Sequence, residues 1–174
     1  MENKMKKLIC LFIAVGFTSC KCKQETTTWT PIVDVTSECP KDGTCTAELI
    51  RNKSMTVKQD EFGSTYYTLE ESDSKSVVKY TYTRTVKGDV QDANYREEIV
   101  FETSSQLNEN LNISGEALQN KNLLFGRFCF CRGQTGYYKI NDGNLTITNG
   151  RVINLDFKAD KVPQIIKHIT INMQ

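Results

Sequence analysis

The residues best able to do chemistry in this chain are its cysteines, seven in 174 residues. Four of them form two close pairs, Cys39 with Cys45 in CPKDGTC and Cys129 with Cys131 in CFC. Such thiols can bind zinc, act as a redox pair or cross-link the chain. Zinc sites and redox catalysts both favour CxxC spacing, which neither motif has. We therefore expect no metal or other cofactor, and we expect disulfides if the compartment is oxidising.

Acid, base and nucleophile constellations are weak in this sequence. His168 is the single histidine, so a Ser-His-Asp or Cys-His site would have to use it. No GxSxG, HExxH or P-loop motif occurs, and we assign no catalytic residue. Neighbours on a strand point to opposite faces, so we interpret adjacent acids as solvated charges rather than as a glycosidase pair. Such adjacent acids occur at Asp60-Glu61, Glu70-Glu71 and Glu97-Glu98.

The tyrosines offer a binding surface rather than a catalytic one. Tyr80 alternates with Tyr82, and Tyr137 adjoins Tyr138, within apparent strands. Core packing accounts for most residues of this kind. The other interpretation is an aromatic-lined surface for a glycan, a lipid or a peptide, and these four tyrosines are its candidates.

The first twenty residues have the pattern of an export signal. Lys4, Lys6 and Lys7 precede the apolar run LICLFIAVGF, and small residues follow before Cys20. About ten apolar residues make a helix of roughly 15 Å, half the thickness of the membrane hydrocarbon. The run is therefore too short to anchor the protein by itself.

This segment resembles the signal peptide of Gram-negative bacterial lipoproteins. Phe17, Thr18, Ser19 and Cys20 occupy the four lipobox positions, with Phe17 in place of the usual leucine. The resemblance implies cleavage before Cys20, acylation of Cys20 and a lipid-anchored protein of the cell envelope, with the outer membrane as the expected location. The alternatives are a soluble export signal cut after Gly16 and an uncleaved N-terminus.

Processing defines the expected domain organisation. Residues 1–19 form the signal peptide, 20–30 a lipidated tether and 31–174 a single β domain, large enough for a core of its own. Removing residues 1–19 removes three lysines and one glutamate, so the formal charge changes from +1 to −1. A near-neutral chain without a basic block argues against nucleic acid as a partner.

The rest of the chain is patterned for antiparallel strands. Apolar and polar residues alternate with period two, and turn residues separate the runs. The clearest hairpin joins 145–148 to 153–158 through Asn149-Gly150, a type I′ turn dipeptide. Residues 104–122 are polar and irregular, which indicates a short helix near 114–119 or a covering loop. The other predicted strands are 32–36, 46–51, 55–59, 65–69, 77–86, 95–102, 123–131, 137–140 and 169–173.

About ten short strands predict an all-β fold, an antiparallel meander forming a small barrel or a two-sheet sandwich. Both arrangements give many strands a shared core and limit exposed edges. Of the two, we favour the barrel.

Strand geometry also predicts how the cysteines pair. Cys129 and Cys131 would lie about 6.6 Å apart along an extended strand, whereas the Cβ atoms of a disulfide lie about 3.8 Å apart. We therefore expect both to cross-link to Cys39 and Cys45, which leaves Cys22 free or intermolecular. A local bond between Cys39 and Cys45 is the alternative.

Together these features predict a lipid-anchored envelope protein that binds a ligand or a protein partner. The alternatives are an inhibitor of an extracellular enzyme and a structural component of an envelope complex, and a hydrolase is less favoured. A closed cavity of several hundred Å³ would indicate a ligand carrier. A filled interior with an apolar surface patch would indicate partner binding.

Overall fold

The computed structural model describes residues 30–31, 34–35, 39–86, 88 and 93–173. The predicted signal peptide, the tether up to residue 29, and with them Cys20 and Cys22, lie outside the described residues. Thirteen strands and one 3-10 helix, η1 (Gly115–Lys121), occur within the described ranges. In chain order the strands are β1 (Thr30–Pro31), β2 (Asp34–Val35), β3 (Gly43–Ile50), β4 (Lys53–Gln59), β5 (Thr65–Glu71), β6 (Lys75–Arg84), β7 (Tyr95–Ser104), β8 (Leu111–Ser114), β9 (Leu124–Cys129), β10 (Gly136–Lys139), β11 (Asp142–Thr148), β12 (Val152–Lys158) and β13 (His168–Asn172).

The strands form two antiparallel sheets. The large sheet has eight strands in the order β1-β3-β6-β7-β9-β10-β5-β4, and the small sheet has five in the order β2-β13-β12-β11-β8. The sheets are not closed into a barrel. The all-β prediction is thus confirmed in its sandwich form, and the preference for a barrel was wrong. The reason is that the strand pattern is the same for both folds, whereas closure depends on which edge strands meet.

The main core lies between the two sheets. Alternation places one face of each strand inward: in β12, Ile153, Leu155 and Phe157 are buried while their neighbours face outward. From the large sheet, Phe101 and Phe125 fill the same interior. Burying a side chain of this size contributes roughly 1.5–3 kcal/mol. One interior therefore holds both sheets together.

A second, smaller core covers the outer face of the large sheet. The chain turns at Arg51 and Asn52, where Asn52 has a φ of 55°, and β4 then pairs with β5 rather than with β3. The β4–β5 hairpin instead folds over the strands β6, β7 and β9. Met55 packs there against Val77, Val100 and Leu124, all of them buried. The central strand β7 is consequently buried on both faces.

The irregular stretch and the turns agree largely with the sequence. Residues 104–122 contain β8 and η1, whose Leu118 is fully buried. The predicted turn between β11 and β12 is confirmed, since Asn149 and Gly150 have φ angles of 51° and 63°. The predicted strand 32–36 falls mostly outside the described residues. No helix among those described is long and apolar enough to span a membrane.

Candidate functional site

One end of the sandwich gathers the features most able to recognise another molecule. We call it the loop end, formed by residues 39–42, 60–64, 130–135 and 159–167. The register places the first three together, because Gly43 pairs with Arg84, Gln59 with Thr65 and Tyr137 with Thr65 at the same end of the large sheet. The opposite end carries the connections 51–52, 105–110 and 149–150.

Two phenylalanines project from the loop end into solvent. Phe62 is 85% exposed and Phe130 is 82% exposed. Phe62 sits in a tight turn, because the Asp60 carboxylate accepts the backbone N–H groups of Phe62 and Ser64 at 2.9 and 2.8 Å. Gly63 completes the turn with a φ of 79°. The turn is therefore held by hydrogen bonds while the ring stays in solvent. An exposed ring contributes little to the stability of the fold, because it is not buried in the core.

Phe130 is held between two bonded cysteines. Cys129 and Cys131 form a disulfide with their Cα atoms 5.1 Å apart. The predicted cross-link to the N-terminal cysteines is therefore wrong, and the physical reason is the end of β9 at Cys129. The chain bends at Phe130, so the extended spacing that would keep the two thiols apart does not apply. The bend turns the ring outward.

The other cysteine pair is also local. Cys39 and Cys45 are bonded, with their Cα atoms 5.7 Å apart. This is the alternative pairing that the sequence left open. The bridge closes the loop that carries Asp42, whose carboxylate accepts hydrogen bonds from the Tyr82 hydroxyl at 2.8 Å and from Arg84 Nε at 3.1 Å. Each disulfide thus shapes one connection of the loop end.

An open cleft of about 550 Å³ lies beside Phe130. Its wall includes Arg96, whose guanidinium lies 4.7 Å from the centre of the Phe128 ring. Behind the wall, Arg84 lies 4.7 Å from the centre of the Tyr95 ring. Cys129 is also part of the wall. The cleft therefore offers aromatic surface beside an arginine that is ion-paired with Glu98.

A second open cleft of about 360 Å³ lies beside Phe62. Thr135 lines both clefts, so they are neighbours. Lys139 and Lys161 belong to the second cleft, where none of the described lining residues carries a carboxylate. The two clefts and the two exposed rings form one continuous candidate surface.

The candidate tyrosines divide into two groups. Tyr80 and Tyr82 are fully buried between the sheets, so they have no exposed ring to offer a ligand, and that part of the predicted surface does not hold. Both lie on the inward face of β6, as alternation requires. Tyr137 and Tyr138 are half-buried and line the second cleft. Their role in ligand binding stays a prediction.

Beneath the clefts, an aromatic cluster surrounds a buried carboxylate. Glu98 accepts a hydrogen bond from the Tyr137 hydroxyl at 2.5 Å and forms an ion pair with Arg96 at 3.0 Å. Burial, reinforced by the hydrogen bond to Glu98, raises the pKa of Tyr137, so its phenol stays a donor. A Cβ on Gly126 would lie 2.7 Å from the rings of Phe128 and Tyr137. Glycine is thus required for the rings to close over the strand.

A second buried carboxylate joins the two sheets at this end. Glu97 accepts the backbone N–H groups of Ile165 and Ile166 at 2.7 and 2.8 Å, and the Tyr95 hydroxyl at 2.5 Å. Burial, followed by the hydrogen bond to Glu97, raises the pKa of Tyr95 to about 12. The connection 159–167 is thereby fixed to the large sheet. Because Glu97 and Glu98 are buried, the interpretation of this pair as solvated charges was wrong.

The single histidine does not build a catalytic site. His168 Nδ1 lies 2.7 Å from Asp156, and Nε2 lies 3.0 Å from the Thr170 hydroxyl, so the three side chains follow a triad order. The Thr170 hydroxyl, however, donates to Asn154 at 2.9 Å. The side chains of His168 and Asp156 are half or more exposed on the small sheet. The two residues pair with each other in the β12–β13 ladder. Their backbone N–H groups are therefore not arranged as the oxyanion hole that such catalysis uses. The row is a cross-strand contact.

Neither a search for metal-binding clusters nor a comparison with known proteins adds evidence about function. Across the described ranges, no group of three or more His, Cys, Asp or Glu side chains is placed to hold a metal ion. Comparison of the chain with models of protein families, with curated proteins and with solved structures found no match.

The sequence contained one overlooked signal for the site. Phe62 stands in DEFGS, a run of turn-forming residues where an apolar ring cannot be buried by its neighbours. For Phe130 no comparable signal existed, since CFC resembles the continuation of a strand.

Proposed function

We propose that this protein is a lipid-anchored envelope protein that binds a protein partner through the loop end. The observation that carries the proposal is the pair of exposed rings, Phe62 and Phe130, on neighbouring braced loops. Isolated apolar side chains on a surface are ordinary, but two exposed phenylalanines beside adjoining clefts are characteristic of an interaction site. Aromatic anchors of this kind dominate the binding energy of protein interfaces.

The packing between the sheets supports a partner rather than an enclosed small ligand. The inward side chains of both sheets form one continuous core, and both clefts at the loop end are open to solvent. A carrier for a small apolar ligand would enclose most of that ligand's surface. The arrangement therefore favours a broad, shallow contact.

Charge indicates what the partner presents. Lys139 and Lys161 line the second cleft, and the described residues of its wall include no carboxylate. Complementary potentials favour association. The expected partner surface carries apolar pockets for the two phenylalanine rings, rimmed by acidic groups.

The proposed anchor fits this direction of binding. Thr30 pairs with Leu49, whereas Gly43 at the other end of β3 adjoins the loop end. At about 3.3 Å per residue, the chain enters the sheet roughly 20 Å from the loop end. The proposed lipidated tether would thus join the sheet at the end away from the candidate surface.

An edge of the large sheet is a weaker candidate for assembly. At the edge strand β4, the Met55 N–H donates to the Glu102 carboxylate at 2.6 Å, and the Met55 carbonyl accepts from the Asn122 amide at 3.0 Å. Side chains therefore satisfy backbone groups that another strand would need. This covering favours the loops as the interface.

Site-specific photocross-linking tests the proposal. A benzophenone amino acid would replace Phe62, Phe130 or, as the matched control, Val152, an exposed apolar residue of the small sheet. In envelope vesicles carrying the full lipidated protein, we expect positions 62 and 130 to capture the same protein and position 152 not to capture it. The captured protein would then be tested with its acidic surface residues neutralised. Loss of cross-linking to that variant would support the proposal. Equal capture from all three positions, or none from 62 and 130, would contradict it.

The anchor has its own test. We expect Cys20→Ser to move the protein from the membrane fraction to the soluble fraction, while Cys22→Ser leaves it in the membrane. Retention of the Cys20→Ser protein in membranes would contradict lipid anchoring without affecting the loop-end proposal.

A further inference from the structure

The two disulfides differ in what they can brace. The bond between Cys39 and Cys45 spans a sequence separation of 6, and the bond between Cys129 and Cys131 spans only 2. The constraint that a disulfide places on the unfolded chain grows with the length of the ring it closes, so a short ring stabilises the fold less. The Cys129–Cys131 bond therefore stabilises the fold less than the Cys39–Cys45 bond does, although it lies at the candidate binding surface.

The second bond also ends a strand that could continue. Tyr95 and Cys129 form the last pair of the β7–β9 ladder, and β9 stops there because the chain bends at Phe130. In the same register, Phe130 would pair with Asn94, which is exposed and adjoins the first cleft. Because β7 itself begins at Tyr95, the ladder would reach Phe130 only if Asn94 and Phe130 both became extended, and the Cys129–Cys131 bond holds Phe130 in its bend.

We propose that the Cys129–Cys131 disulfide is a reversible redox site that controls the presentation of Phe130. It deepens the proposed function, since it assigns regulation to the same surface and rests on Phe130 being a contact residue. The reductant is a protein dithiol of the envelope. Both cysteines are half-buried, Cys129 lines the open cleft, and the exposed Phe130 separates them, so the bond lies at the protein surface, where such a dithiol would approach it.

The exchange proceeds by ordinary thiol–disulfide chemistry. One thiolate of the dithiol attacks one sulfur of the pair, which breaks the Cys129–Cys131 bond and forms a mixed disulfide. The second thiol of the reductant, once deprotonated, attacks the mixed disulfide. The products are two free thiols on Cys129 and Cys131 and the oxidised, disulfide-bonded reductant. Two electrons and two protons pass to this protein, and the reverse reaction restores the bond.

Opening the bond changes the surface. In the extended strand, Phe130 would lie on the same face as Phe128, two residues earlier, because side chains alternate. That face borders the first cleft, where Arg96 stacks on Phe128. The Phe130 ring would leave solvent and cover the cleft, so the reduced protein would lose one of its two aromatic anchors.

A dithiothreitol titration of the full chain tests the redox assignment. Free thiols would be trapped with N-ethylmaleimide and located by peptide mass spectrometry. We expect Cys129 and Cys131 to be reduced at a dithiol concentration at least about tenfold below that which reduces Cys39 and Cys45, with the fold retained. Simultaneous reduction of both bonds, or reduction only on unfolding, would overturn the proposal.

Limited chymotrypsin digestion tests the change of surface. We expect cleavage after Phe130 to slow several-fold on reduction, while cleavage after Phe62, in its separate turn, keeps its rate. The Cys129→Ser/Cys131→Ser variant should show the same slow cleavage without reductant. Faster cleavage after Phe130 would mean that the loop frays rather than joins the strand, and would overturn the switch.

The outcomes separate this proposal from the one on which it rests. If the bond is selectively reducible and Phe130 becomes protected, but neither position 62 nor 130 cross-links a partner in the oxidised protein, the redox site stands and the binding function fails. If both positions cross-link but the bond resists reduction, the binding function stands and the switch fails.

Discussion

The two sheets bury their strands in different ways. In the small sheet, β12 buries Ile153, Leu155 and Phe157 and exposes Asp156 between them, as a strand with one solvated face should. In the large sheet, β7 is buried at every position from Glu97 to Thr103, three glutamates included. The difference arises because the β4–β5 hairpin covers the outer face of the large sheet.

Among the described residues, every buried polar or charged side chain belongs to a strand of the large sheet. A buried carboxylate is tolerated only with hydrogen-bond donors or cations around it. Glu97 has backbone N–H groups, Glu98 has Tyr137 and Arg96, and Glu102 has the Met55 N–H and Lys75 at 2.7 Å. Two of these three networks lie directly beneath the loop end. The large sheet thus fixes the candidate surface, and the small sheet supplies its apolar support.

The largest expected difference between the sheets follows from removing a carboxylate in each. Glu97→Ala leaves two backbone N–H groups and the Tyr95 hydroxyl without their acceptor, so we expect the free energy of unfolding to fall by about 3–4 kcal/mol. Asp156→Ala removes an exposed carboxylate of the small sheet and should cost less than about 0.5 kcal/mol. Urea denaturation of both variants measures the contrast. If both variants lost a similar free energy of unfolding, the burial of β7 would not be what makes its carboxylates important for stability.

The sequence predicted the small sheet better than the large one. The alternation in 145–158 and its Asn149-Gly150 turn depend only on local neighbours, and both are present. The burial of Glu97 depends on Ile165 and Ile166, which follow it by nearly seventy residues. No local pattern reports such a contact. The covering hairpin is equally invisible, because its strands alternate like any half-exposed pair.

The candidate site shows the same limit. The four cysteines were identified, but their pairing depended on where β9 ends, and a bend of one residue changed the geometric answer. Tyr137 and Tyr138 line a cleft as proposed candidates, whereas Tyr80 and Tyr82 are core residues. Alternation gives the two sides of a strand and does not say which of them will be covered.

Alkaline pH should destabilise the large sheet first. The strands of the small sheet contain no tyrosine, while Tyr67, Tyr95 and Tyr137 of the large sheet all have raised pKa values, each with burial as the main cause. For Tyr95 the pKa rises from 10.0 to about 12. Between these values the unfolded chain has lost the proton and the folded protein retains it, so stability falls as pH rises.

We expect Tyr95 to contribute to this loss between pH 10 and 12, by less than the unscreened figure of about 1.36 kcal/mol per pKa unit because solvent screens part of the effect. Denaturant titrations across that range measure it. Tyr95→Phe should be less stable at neutral pH, through the lost hydrogen bond to Glu97, but should show a shallower decline with pH. An unchanged slope in Tyr95→Phe would contradict the assignment.

Gly126→Ala tests the close packing on the outer face of the large sheet. The new methyl group would lie 2.7 Å from ring atoms of Phe128 and Tyr137, which must move apart. We expect a loss of about 1–2 kcal/mol in the free energy of unfolding. Thr148→Ala, at an exposed position of β11, is the control and should stay within about 0.5 kcal/mol of the parent. If Gly126→Ala were as mild as the control, the rings would not be closely packed on that strand.

The smallest expected effect compares one connection from each sheet. Asp60→Ala removes the acceptor for the N–H groups of Phe62 and Ser64 in the large sheet, and Asn110→Ala removes the acceptor for the Asn149 N–H in the turn of the small sheet, at 2.8 Å. Each change should lower the free energy of unfolding by about 1 kcal/mol or less, because these side chains are exposed.

Hydrogen exchange at single residues can distinguish the two variants even when their stabilities are alike. We expect Asp60→Ala to speed exchange at Phe62 and Ser64 alone, and Asn110→Ala at Asn149 alone. Asp60→Ala should also weaken cross-linking from position 62 while leaving position 130 unaffected, because only the first ring depends on that turn. If exchange in 130–135 rose as well, the two loops would be coupled, and the loop end would be one flexible unit rather than two independently braced contacts.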